Sequence, residues 1–164
     1  MFVNPVINFS AKIYNWVIRI SSNLQSIFIL LIRMIWSHQF INTGYGKFLN
    51  LEKTVQFFGS LGLPHPAFYA TLVGTTELIC GLLLFVGFAS RLAAIPLIIT
   101  MIAAIGLAHN HVFSDFHFIT DPSLLVKEAP FPFLIASLIV FIFGPGKLSI
   151  DGWIKRRSQH WAQY

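Results

Sequence analysis

Four runs of apolar residues, each at or near the length of a membrane-crossing helix, constrain this chain more than any other feature. The first covers about Leu24 to Ile41 and contains one charge, Arg33. The second, about Ala67 to Phe88, carries only Glu77, and the third, about Leu92 to Ala108, carries none. The fourth, about Ala129 to Phe143, is Phe-rich and stops at Gly144-Pro145-Gly146. A spanning helix needs about 20 mostly apolar residues. The fourth run is short of that, and borrowing Leu124-Leu125-Val126 would complete it and leave Lys127 and Glu128 near the membrane surface. No run alternates with a period of two, which argues for helices over an outer-membrane barrel. Composition agrees: 55% of the 164 residues are hydrophobic and 10% charged, against roughly 25% charged in soluble domains. That leaves too few polar side chains to cover a water-soluble core. The expected fold is an all-α, integral membrane four-helix bundle.

Ahead of the first run the pattern changes. Asn8, Lys12, Asn15 and Arg19 share one helical face, while Val6, Phe9, Ile13, Trp16, Val17 and Ile20 occupy the other. This predicts an amphipathic interfacial helix over residues 1–21, lying among the lipid headgroups. A four-span domain over 22–154 and a basic tail over 155–164 complete the expected organisation. A cleaved signal peptide is not expected, since Met1 to Ala11 holds no basic side chain. Four spans put both termini and the middle loop on one side. That side holds Lys12, Arg19, Arg91, Lys147, Lys155, Arg156 and Arg157; the other holds Lys47, Lys53 and Lys127. The bias places both termini in the cytoplasm. The net charge of +5, scattered among apolar stretches, suits anionic lipid on the cytoplasmic side rather than nucleic acid.

Arg33 and Glu77 are the sharpest chemical signal. A lone charge at mid-span costs roughly 2.5–3.5 kcal/mol, so each must face a partner or a wet cavity. The simplest arrangement pairs the two across the first and second spans. Such a pair fixes helix register, or it forms the polar floor of a ligand pocket or a proton relay. A second cluster, His109-Asn110-His111-Val112-Phe113-Ser114-Asp115-Phe116-His117, holds ligand types used by zinc, iron and copper. His109, His111, Asp115 and His117 are the metal candidates, although their spacing fits no standard signature. His38, near the outer end of the first span, is placed to approach His109 or His111, the arrangement a haem clamp requires. Gly44-Tyr45-Gly46-Lys47 lacks the Ser/Thr of a phosphate loop and reads as a helix-exit turn. Gly74, Gly81 and Gly87 suit close helix contact. The single cysteine, Cys80, excludes an internal disulfide and a CxxC redox pair. No serine sits in a nucleophile elbow, so any chemistry would come from a bound cofactor.

The order of these motifs resembles the DoxX family of small four-helix bacterial membrane proteins, over about residues 22–154. The resemblance runs through Leu31-Ile32-Arg33, Gly44-Tyr45-Gly46-Lys47 and Phe57-Phe58-Gly59-Ser60-Leu61-Gly62-Leu63-Pro64. It continues through Glu77-Leu78-Ile79-Cys80-Gly81, Gly87-Phe88-Ala89-Ser90-Arg91 and Gly144-Pro145-Gly146-Lys147-Leu148-Ser149-Ile150-Asp151. Arg33, Lys47, Glu77, Arg91 and His111 match the family's polar pattern. His109, His117, the Phe-rich fourth span and the N-terminal helix depart from it. The resemblance implies a bacterial inner-membrane protein associated with oxidoreductase assemblies. Together with an aromatic-rich bundle, it makes a quinone or similar lipid-soluble carrier the expected ligand, with His38, Lys47 and His111 as ligand-binding candidates. Arg33 is a fixed donor suited to a quinone carbonyl, and Glu77 or a histidine is suited to exchanging protons. A non-catalytic anchor or assembly factor for a soluble oxidoreductase is the alternative, and a homo-oligomer is compatible with either.

Overall fold

The computed structural model describes residues 5–108 and 123–161. Most of the described residues are helical, with no strand among them. Among the described residues seven helices follow in order: α1 Pro5–Leu49, α2 Leu51–Ser60, α3 Pro66–Val86, α4 Ser90–Ala108, α5 Ser123–Lys127, α6 Pro130–Phe143 and α7 Ile150–Trp161. The region of α1 from Lys12 to Leu49, together with α3 and α4, gives three helices long and apolar enough to cross a membrane, while α6 is a shorter apolar helix. Helices α1, α3, α4 and α6 pack in a ring, each against its two neighbours, and α2 lies against α3. The result is an all-α membrane bundle.

No Gly or Pro occurs between Val6 and Thr43, so nothing in the backbone interrupts α1 for that length. The chain therefore runs through residues 21 and 22 in one helix of 45 residues, or ~67 Å at 1.5 Å per residue. The separate N-terminal helix expected over 1–21 is not set off by a break. Helix α1 also continues past the predicted exit turn: Gly44 to Lys47 are helical, and the break falls at Asn50, whose N–H donates to Gly46 O at 3.1 Å. Helix α5 does not merge into α6. Pro130 opens α6 and lacks the N–H that a continuous helix would use at that point.

Small residues set the α1–α3 contact. A Cβ on Gly44 would lie 2.6 Å from the backbone N of Leu78, and one on Gly81 would lie 3.0 Å from the Cβ of Phe40. Phe40, Leu97 and Val140 are fully buried at the centre, and Phe133 meets both Trp36 and Phe40 edge-on, with ring centroids 4.9 and 4.8 Å apart. The outer faces are apolar: Ile35, Ile79, Leu82, Leu92, Ile99 and Ile142 are all exposed. An apolar exterior around a bundle of this length is what a bilayer requires.

At the end of the bundle that carries the C-terminal helix, one polar assembly joins two turns to helix α1. Gly87 ends α3 in the left-handed region with a Schellman closure, its N–H and that of Phe88 returning to Leu84 O and Leu83 O. Asp151 on α7 accepts hydrogen bonds from the N–H groups of Ala89 and Ser90 at 2.8 and 2.9 Å, capping the start of α4. The guanidinium of Arg33 donates to Pro145 O and Leu148 O at 2.9 and 2.8 Å.

Candidate functional site

At the opposite end of the bundle, a cavity of about 400 Å³ lies between α1, α3, α4 and α6, with α2 and the turn after it as the roof. Phe57, Phe58, Tyr69 and Phe133 supply aromatic walls, and Met101, Ala104 and Leu107 of α4 supply aliphatic ones. Lys47 and Glu77 provide its charged groups, and they form an ion pair. The Glu77 side chain is 4% exposed and that of Lys47 is 24% exposed. The carboxylate is thus sealed within the bundle, while the ammonium stands between it and the open part of the cavity. Thr43 and Thr100 add hydroxyl groups to the lining. A largely apolar pocket with a few convergent polar groups is the usual form of a small-molecule site.

The local sequence explains the placement. Lys47 occupies the last turn of α1, so its long side chain reaches back along the helix flank towards α3. Close approach at Gly44 and Gly74 brings the two helices near enough for the ammonium to meet Glu77. Helix α2 follows a break at Asn50 and turns Phe57 and Phe58 over the cavity mouth. Its return to α3 runs through Gly62, at φ 74°, and His65, a non-glycine residue at φ 54°. Pro66 then starts α3.

The expected Arg33–Glu77 pair is not formed. In the antiparallel α1–α3 packing, Arg33 lies level with Gly87, Phe40 and Ile41 level with Gly81, and Gly44 level with Leu78. Glu77, ten residues before Gly87 on α3, therefore sits ~15 Å along the helix axis from the level of Arg33. Both residues are buried, at 4% and 3% exposure, but each finds its own partner: carbonyl oxygens for Arg33 and Lys47 for Glu77. Reading the first span as 24–41 put Arg33 at its centre; α1 runs eight residues further, and Arg33 falls level with the ends of α3 and α6.

Of the other candidates, Lys47 lines the cavity and His38 does not. His38 is exposed on α1, one turn from Asn42, whose Nδ2 lies 3.3 Å from His38 Nδ1. Arg91 lies outside the cavity, donating to Ile142 O at 3.3 Å. His109, His111, Asp115 and His117 lie outside the described residues, and with them the metal and haem expectations. Among the described residues no group of three or more His, Cys, Asp or Glu is placed to hold a metal. Sequence reasoning missed the aromatic roof, because Phe57 and Phe58 lie in a loop-like stretch between two spans. The signal was there in the amphipathic spacing of residues 51–60.

The DoxX family model matches residues 28–110. Among curated proteins, the chain is 43% identical over 76 residues to the "Putative oxidoreductase CatD" of Bacillus subtilis, covering 46% of this chain and 55% of that relative. It is 27% identical over 135 residues to the "Uncharacterized membrane protein Rv3486" of Mycobacterium tuberculosis, covering 79% and 83%. It is 28% identical over 112 residues to the "Inner membrane protein YphA" of Escherichia coli, covering 68% and 79%. The chain thus spans little over half the length of the Bacillus relative. No solved structure matches it.

Proposed function

Because the chain belongs to the DoxX family, we propose that it is an inner-membrane subunit of a redox assembly that binds a quinone or a similar lipid-soluble carrier in the α2-roofed cavity. The carrying observation is the Lys47–Glu77 pair set in the wall of an otherwise apolar, aromatic-lined cavity of ligand size. A relative named as an oxidoreductase supports the redox class. The residues fit such a ligand: aromatic and aliphatic walls suit a ring and its prenyl carbons, and one cationic donor suits a carbonyl oxygen. A bound quinone would supply two-electron, two-proton carriage. Lys47 would donate a hydrogen bond to the ligand oxygen, and Glu77 would hold the ammonium in place for it. The apolar walls exclude water, which strengthens both interactions.

The test is equilibrium binding of a short-chain quinone to the purified full chain. Lys47→Met alone strands a buried carboxylate, so the informative variant is Lys47→Met/Glu77→Leu, which removes both charges together. The double variant is expected to remain folded and to bind at least tenfold more weakly. Equal binding by the folded double variant would refute the cavity assignment. Absence of binding in the native protein, with a stoichiometric soluble oxidoreductase co-purifying, would replace it with the anchor reading.

A further inference from the structure

A second cavity, of about 860 Å³, opens at the other end of the bundle, between α1, the start of α4, the Gly144–Lys147 turn and α7. Four cations line it: Arg91, Lys147, Lys155 and Arg156. All four are exposed. Among the described residues none of the four has a carboxylate at ion-pair distance. Asp151 also borders the cavity and keeps its charge while accepting from the N–H groups of Ala89 and Ser90, so four cations face one carboxylate that is turned to the start of α4. Two of the cations are oriented by uncharged partners. Arg91 donates to Ile142 O at 3.3 Å and Arg156 to Lys147 O at 2.8 Å. Carbonyl oxygens aim a guanidinium without cancelling its charge, leaving other N–H groups for an anion.

The location narrows the anion. The cavity sits where α3 ends, α4 begins and α6 ends, so it lies at the depth of the membrane surface. Leu92 and Phe143, both in its lining, are 70% and 58% exposed. They extend the site sideways onto the apolar flank of the bundle. Cations beside an outward-facing apolar strip match a phosphate headgroup continuous with acyl chains, and basic pockets between membrane helices are suited to acidic headgroups. We propose that this cavity is a binding site for an anionic phospholipid, its phosphate held by Arg91, Lys147, Lys155 and Arg156 and its chains lying over Leu92 and Phe143. The assignment is independent of the ligand at the other end of the bundle.

The experiment follows thermal unfolding of the full-length protein in a neutral detergent, titrated with dihexanoyl phosphatidylglycerol, dihexanoyl phosphatidylcholine or inorganic phosphate. Ligand that binds only the folded state raises the midpoint with concentration. Phosphatidylglycerol is expected to raise it, with phosphatidylcholine and inorganic phosphate inactive at the same concentrations. In Lys147→Gln/Lys155→Gln the phosphatidylglycerol concentration giving half the effect should rise at least tenfold. Lys53→Gln/Lys127→Gln, at the other end of the bundle, should leave it unchanged. Arg91→Gln, read in the same way, provides a second independent loss. An equal response to phosphatidylcholine, or equal loss in both lysine double variants, would overturn the site. Equal stabilisation by inorganic phosphate would reassign it to a free anion and overturn the lipid.

Discussion

At the level of single residues, the two charges that break the apolar runs serve different ends of the molecule. Arg33 ties the turn after α6 to α1 through two carbonyl oxygens, while Glu77 holds Lys47 at the wall of the cavity. Their sequence signatures are alike, one charge in each apolar run, because both must escape the hydrocarbon. What separates them is the register of α1 against α3, which depends on contacts made by Gly44 and Gly81. Two stability predictions follow from burial. Glu77→Leu alone leaves the Lys47 ammonium beside an apolar wall and should destabilise by ~3 kcal/mol, whereas Lys47→Met/Glu77→Leu should recover most of that loss; unfolding in mixed micelles measures both. Gly87→Ala should also destabilise, because Gly87 sits at φ 73° and a Cβ there would meet Ser149 Cβ at 2.6 Å as well as the Arg33 guanidinium.

Between elements, the connections carry as much of the design as the helices. Helix α7 is held to the bundle by Asp151, whose carboxylate caps α4 and whose own N–H donates to Gly87 O at 2.9 Å. Asp151→Ala removes the cap, so a loss of ~1–2 kcal/mol is expected, accompanied by faster amide exchange through α7 and the first turn of α4. Exchange in α2 should not change, since α2 packs on α3 at the other end of the bundle. The helices themselves were largely legible: the apolar runs located α3, α4 and α6 to within a few residues. The ends of α1 were not. An amphipathic stretch and an apolar stretch read as two helices because hydropathy changes between them, yet backbone continuity depends on breakers, and none occurs from Val6 to Thr43. At the other end, the two glycines of Gly44-Tyr45-Gly46-Lys47 read as a turn, but Gly44 is there for close packing against α3.

For the molecule as a whole, we propose from the charge bias that both termini are cytoplasmic, and a single cysteine makes this orientation easy to test. Cys80 is 8% exposed, so it adds little background to labelling by a membrane-impermeant maleimide. Ser158→Cys should be labelled only after lysis and Lys53→Cys in intact cells; the reverse pattern would invert the assignment. Length, composition and the placement of charges were sufficient to determine a helical membrane protein, because transfer of apolar side chains from water is a sum over residues that needs no knowledge of neighbours. The partner of Glu77, the aromatic roof from α2, and the four cations around the second cavity were decided only in three dimensions. Pairing depends on how far one helix slides along another, and a shift of one turn, ~5.4 Å, exchanges one partner for the next. That slide is set by glycine contacts and turn geometry across the bundle, which no local stretch of sequence encodes.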